Sequence, residues 1–427
     1  MALSAESFDS LDPAAAHPAP PAPLPAPHPA APGRAPVAQP IVLLGTLSAL
    51  AALSLDMYVP GLPALAADLH TTASAAQLTL TACLVGLALG QLLAGPLSDA
   101  RGRRRPVLVG MCVYTAASLL CALAPSIWLL VALRLVQGAA GGTAMVVATA
   151  AVRDRGSDET GTARLFATLM VVNGLAPILA PVIGGQLLHW TDWRGVFLLL
   201  GVIGALMLAA SAAWFGESHP PARRRRGLGP RALLPVYRRV LTDRVFVGCL
   251  LGNGLAMAGM FGYISGSPFV LQDVHGLTAQ QYSLVFASNG AGIVAGSQLS
   301  RALAGRVRPR TLMLAGLCGT AAGGAGVWIA AVSGAGLPVL LPLLFVNVAC
   351  LGLVLPNAGA LGLAGHGDAA GAAASLLGPT PYILGALASP LVGLGGRHDA
   401  APMGAVIALF DAAALGAFAW LTRKTED

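Results

Sequence analysis

Two charged side chains interrupt long apolar stretches of this sequence, and both could take part in proton chemistry. Asp56 follows a run from Ile41 to Leu55 that contains no charge, and Arg134 follows the apolar segment WLLVAL. An acid inside a membrane is costly unless it is paired, protonated or facing water, so it is a functional candidate. Burial of a carboxyl favours its neutral form and a nearby cation favours its charged form. A carboxyl balanced between these effects could bind and release a proton.

Each of the two residues also has a simpler interpretation. Asp56 could cap the chain near Pro60 at the membrane interface, and Arg134 could hold helices together through a fixed ion pair. Arginine keeps its charge when buried, so it needs a counter-ion or a wet cavity. We expect Arg134 to face a central cavity, hydrogen-bonded to Gln137 or to water, where it would bias the charge state of Asp56.

The composition indicates that these residues are carried by membrane-spanning helices. Of the 427 residues, 56% are hydrophobic and only 10% are charged, whereas a soluble domain carries about 25% charged residues. The net charge of +7 does not indicate a nucleic-acid partner, because the arginines form short clusters between apolar runs without a basic face. We expect the apolar surface of the protein to face the lipid bilayer.

Twelve apolar segments have about the length, roughly 20 residues, that spans a bilayer. A Pro/Ala-rich tail over residues 1–40 precedes them, and its composition predicts disorder. The weakest predictions are the tenth and eleventh segments, so ten or eleven spans remain an alternative. The predicted spans are 41–60, 77–97, 106–123, 126–151, 163–188, 196–215, 243–270, 279–301, 311–332, 338–363, 370–394 and 402–422.

The basic residues predict the orientation of these spans. If the N-terminus is cytoplasmic, nearly all of the 25 arginines and lysines fall in cytoplasmic segments, as the positive-inside rule requires. Only Arg194 and Arg397 lie outside, and Arg134 lies within a span. The sequence therefore predicts a multi-pass protein of the inner or plasma membrane with both termini in the cytoplasm.

A duplication divides the chain into two halves of six spans. GPLSDARGRRRPVL follows the second span and the similar GSQLSRALAGRVRPRTL follows the eighth, with Arg301 where the first copy has Asp99. We expect an N-terminal half at 41–215, a basic cytoplasmic linker at 216–242, a C-terminal half at 243–422 and a cytoplasmic tail at 423–427. Transporters built from such repeats bind substrate between the halves near the midplane.

Five short strings, in order along the chain, resemble one family. They are LDMYVPGLP in the first span, GPLSDARGRRRP in the loop after the second, RLVQG in the fourth, NGLAPILAPVIGG in the fifth and LPNAGAL in the tenth. Together they are similar to the major facilitator superfamily, and within it to the twelve-helix drug:proton antiporters of the bicyclomycin and chloramphenicol resistance type. The loop string departs from the family pattern at Ala100, and the fifth-span string departs at Ala180, where an arginine and a glycine are usual. Arg101 could compensate at the loop.

The resemblance implies roles for individual residues. Asp56 and Arg134 would couple transport to protons. The loop after the second span would act as a gate, in which Asp99 meets a helix N-terminus of the opposite half in only one conformational state. Its residues are Gly95, Asp99, Arg101, Gly102, Arg103 and Arg104. The antiporter motif of the fifth span comprises Pro177, Pro181, Gly184 and Gly185, where two prolines bend the helix and two glycines permit close packing.

Polar and aromatic residues stranded in apolar spans are candidates for the substrate cavity, since an apolar cavity with few polar groups suits uncharged or amphipathic compounds. Interhelical hydrogen bonding explains each asparagine equally well. The candidates are Tyr58, Gln137, Asn173, Asn253, Met257, Phe261, Asn289 and Asn357.

These observations favour a monomeric, proton-driven exporter of a small-molecule drug or natural product, without a cofactor or catalytic residues. A carrier for a metabolite or an endogenous natural product is the alternative. The sequence has no HExxH, GxSxG or nucleotide-binding loop, which argues against an enzyme and against ATP as the energy source. The 6 cysteines stand singly in apolar runs without the spacing of metal ligands, so we expect no metal site.

Overall fold

The computed structural model describes residues 38–155, 159–218, 230–396 and 399–423. Residues 1–37 of the predicted tail, which include Arg34, therefore lie outside the described residues. Arg397 and residues 424–427 lie outside them as well. Part of the predicted linker, 219–229, is also outside them.

The described residues form fifteen α-helices, most of them long. The sequence 57–61 after α1 makes a tight turn with a short 3₁₀ segment, and α9 is extended by a π-helical turn at Phe269–Val274. The helices are α1 Ala38–Asp56, α2 Leu62–Asp68, α3 Ala73–Arg101, α4 Arg104–Ala122, α5 Ile127–Arg155, α6 Glu159–Leu187, α7 Trp193–Trp214, α8 Pro230–Thr242, α9 Arg244–Pro268, α10 Ala279–Leu303, α11 Pro309–Val332, α12 Leu337–Ala364, α13 Ala370–Leu377, α14 Thr380–Val392 and α15 Ala401–Leu421.

Local sequence signals explain where several of these helices begin and end. The side chains of Thr72 and Asp243 accept hydrogen bonds from the first turns of α3 and α9, and Thr278 forms a capping box at the start of α10. These are the residue types that satisfy free N–H groups at a helix start. Gly102 ends α3 with a φ of 89°, which favours glycine.

The helices have the length and surface of a membrane-spanning bundle. Ten stretches are long and apolar enough to cross a bilayer, and α6 adds the shorter apolar segment Val171–Leu187. The eighth predicted span, 279–301, corresponds to α10, which has 25 residues and several polar side chains. Exposed tryptophans lie near the helix ends on both sides, as is typical of membrane interfaces: Trp128, Trp190, Trp214, Trp328 and Trp420.

Helices lie at all twelve predicted spans, with two differences from the prediction. The eleventh span, predicted as one segment at 370–394, is two helices, α13 and α14, separated at Gly378 and Pro379. The basic linker contains a further helix, α8, which the sequence analysis did not predict.

The two halves repeat one packing arrangement. In the first half, α3 and α5 touch so closely that a Cβ on Gly86 would collide with the carbonyl of Leu135. In the second half, α10 and α12 make the corresponding contact, where a Cβ on Gly352 would collide with the carbonyl of Ile293. Small residues allow this close approach of helices in membranes. Across the halves, α3 packs on α14 and α6 packs on α10.

The bundle has two chemically different ends. We call the basic end the one that carries the α3–α4 and α10–α11 loops, α8 and the end of α15, with their arginines. The distal end carries the turn after α1 and the α6–α7, α9–α10 and α14–α15 connections, where Arg194 binds Asp68.

Candidate functional site

Asp56 is buried where the two halves meet. It is the last residue of α1, only 6% of its surface is exposed, and it forms no ion pair with a described residue. The chain turns immediately after it, through Tyr58 and the 3₁₀ segment that contains Pro60. A buried acid without a counter-ion is stabilised by binding a proton or a cationic ligand.

The glycine pair of α6 brings three helices together beside Asp56. A Cβ on Gly184 would collide with the carbonyl oxygen of Met57, the residue after Asp56. A Cβ on Gly185 would instead collide with the hydroxyl of Ser283 on α10, in the opposite half. The Gly185 carbonyl also accepts a hydrogen bond of 3.0 Å from the Gln280 side chain. The two glycines therefore serve different contacts, one within the N-terminal half and one between the halves.

Three tyrosines of the C-terminal half lie within range of the charge on Asp56: Tyr263, Tyr282 and Tyr382. Their hydroxyls belong to a buried polar network. Asn289 donates to the Tyr263 hydroxyl at 2.8 Å, and the Tyr282 hydroxyl lies 2.9 Å from that of Ser267. The groups of the C-terminal half that interact with the charge of Asp56 thus include tyrosine hydroxyls held in hydrogen bonds.

Arg134 is held inside the N-terminal half. Its guanidinium carbon lies 4.3 Å from the ring centre of Tyr58 and 5.6 Å from that of Phe197, a cation–π arrangement. Its Nη1 donates to Gln137 at 2.6 Å, and Gln137 donates onward to Ser118 at 2.7 Å. The expected hydrogen bond to Gln137 is therefore present.

The expectation that Arg134 faces a central cavity is wrong for this structure, because the residue is 0% exposed. It also forms no ion pair with a described residue, so the fixed ion pair that was the alternative is absent. Its Nε and Nη2 atoms have no described hydrogen-bond partner. The aromatic rings and the Gln137 oxygen, not an acid, surround this buried cation.

A cavity of about 650 Å³ opens between the halves at the basic end. One wall comes from α3 and α5, and the other comes from α8, α13 and the start of α14. Its charged lining residues lie at or directly after the ends of α3 and α5. Its lining includes Gln91, Gly95, Asp99, Arg103, Met145, Thr149, Arg153, Asp154, Tyr237, Ser375 and Gly378.

None of the eight residues predicted for the substrate cavity lines it. The Tyr58 hydroxyl is hydrogen-bonded to the Thr79 hydroxyl at 3.0 Å, and Gln137 is hydrogen-bonded to Arg134 and Ser118. Asn289 binds Tyr263, and Asn357 donates to Ser300 at 2.7 Å and to the Leu353 carbonyl. For these four residues, hydrogen bonding between neighbouring groups accounts for the polar side chain.

The other four candidates lie on α6 and α9, outside the described cavity. Asn173 is half-buried on α6, next to the contact of Gly174 with α10. On α9, Asn253 has a buried side-chain oxygen without a described partner, and Met257 is half-buried one turn further along. Phe261 packs on Tyr382 with ring centres 6.0 Å apart. These residues remain candidates for a substrate site beyond the described cavity.

The predicted gating loop is organised around Arg103. Its guanidinium pairs with Asp99 at 2.7 Å and with Asp154 at 2.9 Å, and its backbone N–H donates to Glu217 at 2.8 Å. Arg104 donates to the Ala212 carbonyl. Arg101 is exposed and forms no ion pair with a described residue, so Arg103, and not Arg101, balances Asp99.

The distal end is closed by hydrogen bonds between the halves. Four side chains, two from each half, donate to backbone carbonyls of the opposite half. Sequence analysis missed them because, apart from Gln137, it considered the asparagines of the helices and not their glutamines and serines. The bonds run from Ser74 to Gly393 at 2.6 Å, from Gln77 to Ser265 at 3.0 Å, from Gln272 to Pro60 at 3.0 Å and from Gln280 to Gly185 at 3.0 Å.

A second buried acid lies within the C-terminal half. Asp411 on α15 accepts a hydrogen bond of 2.6 Å from Asn347, which also donates to the Thr320 carbonyl. Gly259 and Gly324 of the neighbouring helices face its two oxygens. This acid is held inside one half, whereas Asp56 lies between the halves.

Comparison with known proteins identifies the family of this bundle. The sequence profile described as Major Facilitator Superfamily matches residues 44–421. The chain belongs to the Major Facilitator Superfamily. Its architecture is the major facilitator fold of twelve membrane-spanning helices in two pseudo-symmetric halves, and the chain is a multi-pass membrane transporter.

Individual relatives place the chain near drug-resistance proteins. It is 37% identical over 381 residues to an uncharacterised transporter of the superfamily, YdgK of Bacillus subtilis (strain 168), covering 88% of this chain and 93% of the relative. It is 28% identical over 369 residues to the bicyclomycin resistance protein homolog of Haemophilus influenzae, covering 85% and 91%. The nucleoside transporter NupG has the same fold, with a TM-score of 0.73 at 10% identity over 90% of this chain and 99% of that one.

Proposed function

We propose that this transporter exports small hydrophobic or amphipathic compounds, drugs or natural products, in exchange for protons. The observation that carries the proposal is the position of Asp56, a buried acid at the boundary between the two halves that has no counter-ion among the described residues. Such a carboxyl can bind a proton in one state and release it in another as its surroundings change.

The difference between the two ends supports an alternating-access mechanism. The distal end is closed by four hydrogen bonds across the halves, and the basic end is open through a cavity of about 650 Å³. The positive-inside rule would place the basic end in the cytoplasm, and the open basic end would then be that of an inward-facing state. Rocking of the halves would break the distal bonds and close the cavity.

The gating loop would stabilise the opposite state. Asp99 faces the cavity from the N-terminal half, and Gly371, Ser375 and Gly378 line it from the other half. Closure of the basic end would bring Asp99 toward α13 and α14. In the open state Arg103 pairs with Asp99 and Asp154 instead.

The proposed substrate class follows from the lining and from the relatives. Met257 and Phe261 of α9, two candidates for the substrate site, are apolar. The Haemophilus influenzae relative is named for bicyclomycin resistance, and we infer a related role in antibiotic or multidrug efflux across the cell membrane. The proton gradient would supply the energy, and the chain would act as a monomer.

The experiment that tests this function uses everted membrane vesicles. Accumulation of chloramphenicol, bicyclomycin and a lipophilic cation such as ethidium is measured with a pH gradient that is then collapsed. We expect at least one compound to accumulate and to leave when the gradient collapses. Accumulation of every transported compound without regard to the gradient would exclude the antiport mechanism and favour a carrier for a metabolite or endogenous natural product.

A further inference from the structure

Helix α8 is fixed to the C-terminal half at the basic end by one of its faces. Val240 is fully buried there among Phe246, Leu250 and Ala373. The Tyr237 hydroxyl lies 3.1 Å from that of Ser375 on α13. Helix α8, which belongs to the segment that connects the two halves, is therefore held in place on the C-terminal half.

The other face of α8 carries two neighbouring cations without partners. Arg238 and Arg239 are exposed, and neither forms an ion pair or side-chain hydrogen bond with a described residue. Together with Pro235 and Thr242 they line a surface depression of about 560 Å³, and no described acid lines it. By contrast, Arg103 and Arg194 each pair with acids of this chain. Two unpaired guanidinium groups in one depression fit an anionic ligand.

The surroundings of the depression indicate which anion it fits. Leu241, next to the two arginines, is 47% exposed, and α8 leads directly into the membrane-spanning helix α9. Guanidinium groups bind phosphate through paired hydrogen bonds. An exposed leucine beside them suits an acyl chain and not a free ion. Anionic lipids attract basic segments at the cytoplasmic surface by about 1 kcal/mol for each arginine.

We propose that this depression of α8 binds the headgroup of an anionic phospholipid, with the phosphate held by Arg238 and Arg239. The lipid acts on transport through Tyr237. This tyrosine lies on the same helix, lines the cavity and meets Ser375 of α13 on the same wall. A bound lipid holds α8 against α13 and stabilises the state in which the basic end is open. This inference does not depend on proton coupling or on the nature of the substrate.

The test compares two double variants of the full-length protein with equal loss of charge. R238Q/R239Q removes the cations of the depression. R306Q/R308Q removes two exposed arginines from the α10–α11 loop at the same end of the bundle. Native mass spectrometry measures retention of phosphatidylglycerol against phosphatidylcholine. We expect the wild type and R306Q/R308Q to prefer phosphatidylglycerol, and R238Q/R239Q to lose about tenfold or more in apparent affinity.

Thermal unfolding in detergent provides a second readout that also monitors folding. Phosphatidylglycerol should raise the unfolding midpoint of the wild type and of R306Q/R308Q, but not that of R238Q/R239Q, and inorganic phosphate should raise none of them. Equal loss of phosphatidylglycerol in both double variants would mean that lipid retention depends on net charge and not on the depression. That result would overturn the proposal. Stabilisation by inorganic phosphate as strong as that by the lipid would overturn it as well. If R238Q/R239Q does not fold, the single variants R238Q and R239Q must each weaken lipid retention while R306Q does not.

Discussion

Gly184 of α6 lies against the backbone carbonyl of Met57, without room for a side chain between them. This contact fixes the distance between α6 and the turn that follows Asp56. Gly185, the next residue, packs on Ser283 of the opposite half. Movement of one half against the other would therefore displace these two glycines and, with them, the turn that follows Asp56.

Replacement of Gly184 by alanine should disturb transport strongly. The new Cβ would force α6 away from Met57, and overpacking of this kind costs about 1–3 kcal/mol. We expect a lower unfolding midpoint and a loss of most transport activity, measured by thermal unfolding and by uptake into everted vesicles.

Gly174 on the same helix provides the matched control. The nearest atom to a Cβ at Gly174 is on Val294 at 4.0 Å, so alanine fits there without displacement. Gly174→Ala should leave transport unchanged and gain stability from the higher helix propensity of alanine, by up to about 1 kcal/mol. Equal behaviour of the two variants would show that close packing at Met57 is unimportant.

Asp56→Asn should abolish transport that is driven by the pH gradient and leave some binding of the substrate. Asparagine has the same shape and cannot take up a proton at neutral pH, so the substitution removes the coupling group with little change in packing. Vesicle uptake with and without the gradient measures coupling, and equilibrium binding to the purified protein measures affinity for the compound.

Asp411→Asn is the control for this prediction, because Asp411 is also a buried acid but is enclosed within the C-terminal half by Asn347 and two glycines. An asparagine oxygen can still accept the bond from Asn347. We expect gradient-driven transport to persist. Loss of coupling in this variant, with Asp56→Asn unaffected, would move the proton site to α15.

More of the architecture than of the candidate site could be predicted from the sequence. Apolar length and the placement of arginines specify spans and halves, because both depend on contact with lipid and water and not on particular neighbours. The break at Gly378 and Pro379 was missed since apolar composition continues through it. The orientation of Arg134 depends on Tyr58 and Phe197 of other helices, which no single-helix pattern reveals.

Arg134→Ala tests whether this buried cation takes part in coupling. Its removal takes away the cation–π contacts with Tyr58 and Phe197 and leaves the Gln137 oxygen without its donor, which costs about 1–3 kcal/mol. We expect a folded, less stable protein in which the response of transport to the pH gradient falls at least tenfold. Intact gradient-driven transport in a well-folded variant would leave Arg134 a purely structural role.

A disulfide across the distal end should stop the transport cycle reversibly. The Ser74 hydroxyl donates to the Gly393 carbonyl at 2.6 Å, and a Cβ on Gly393 would crowd the Cα of Ser74 and the side chain of Gln77. Cysteines at both positions are therefore near enough to form a bond after a small local shift, and the single variant G393C sets the baseline activity. If the distal end must open, the oxidised pair S74C/G393C should not transport, and reduction should restore activity. Each single cysteine variant should be insensitive to oxidation. Unchanged transport in a fully cross-linked protein would mean that the halves do not separate at this end.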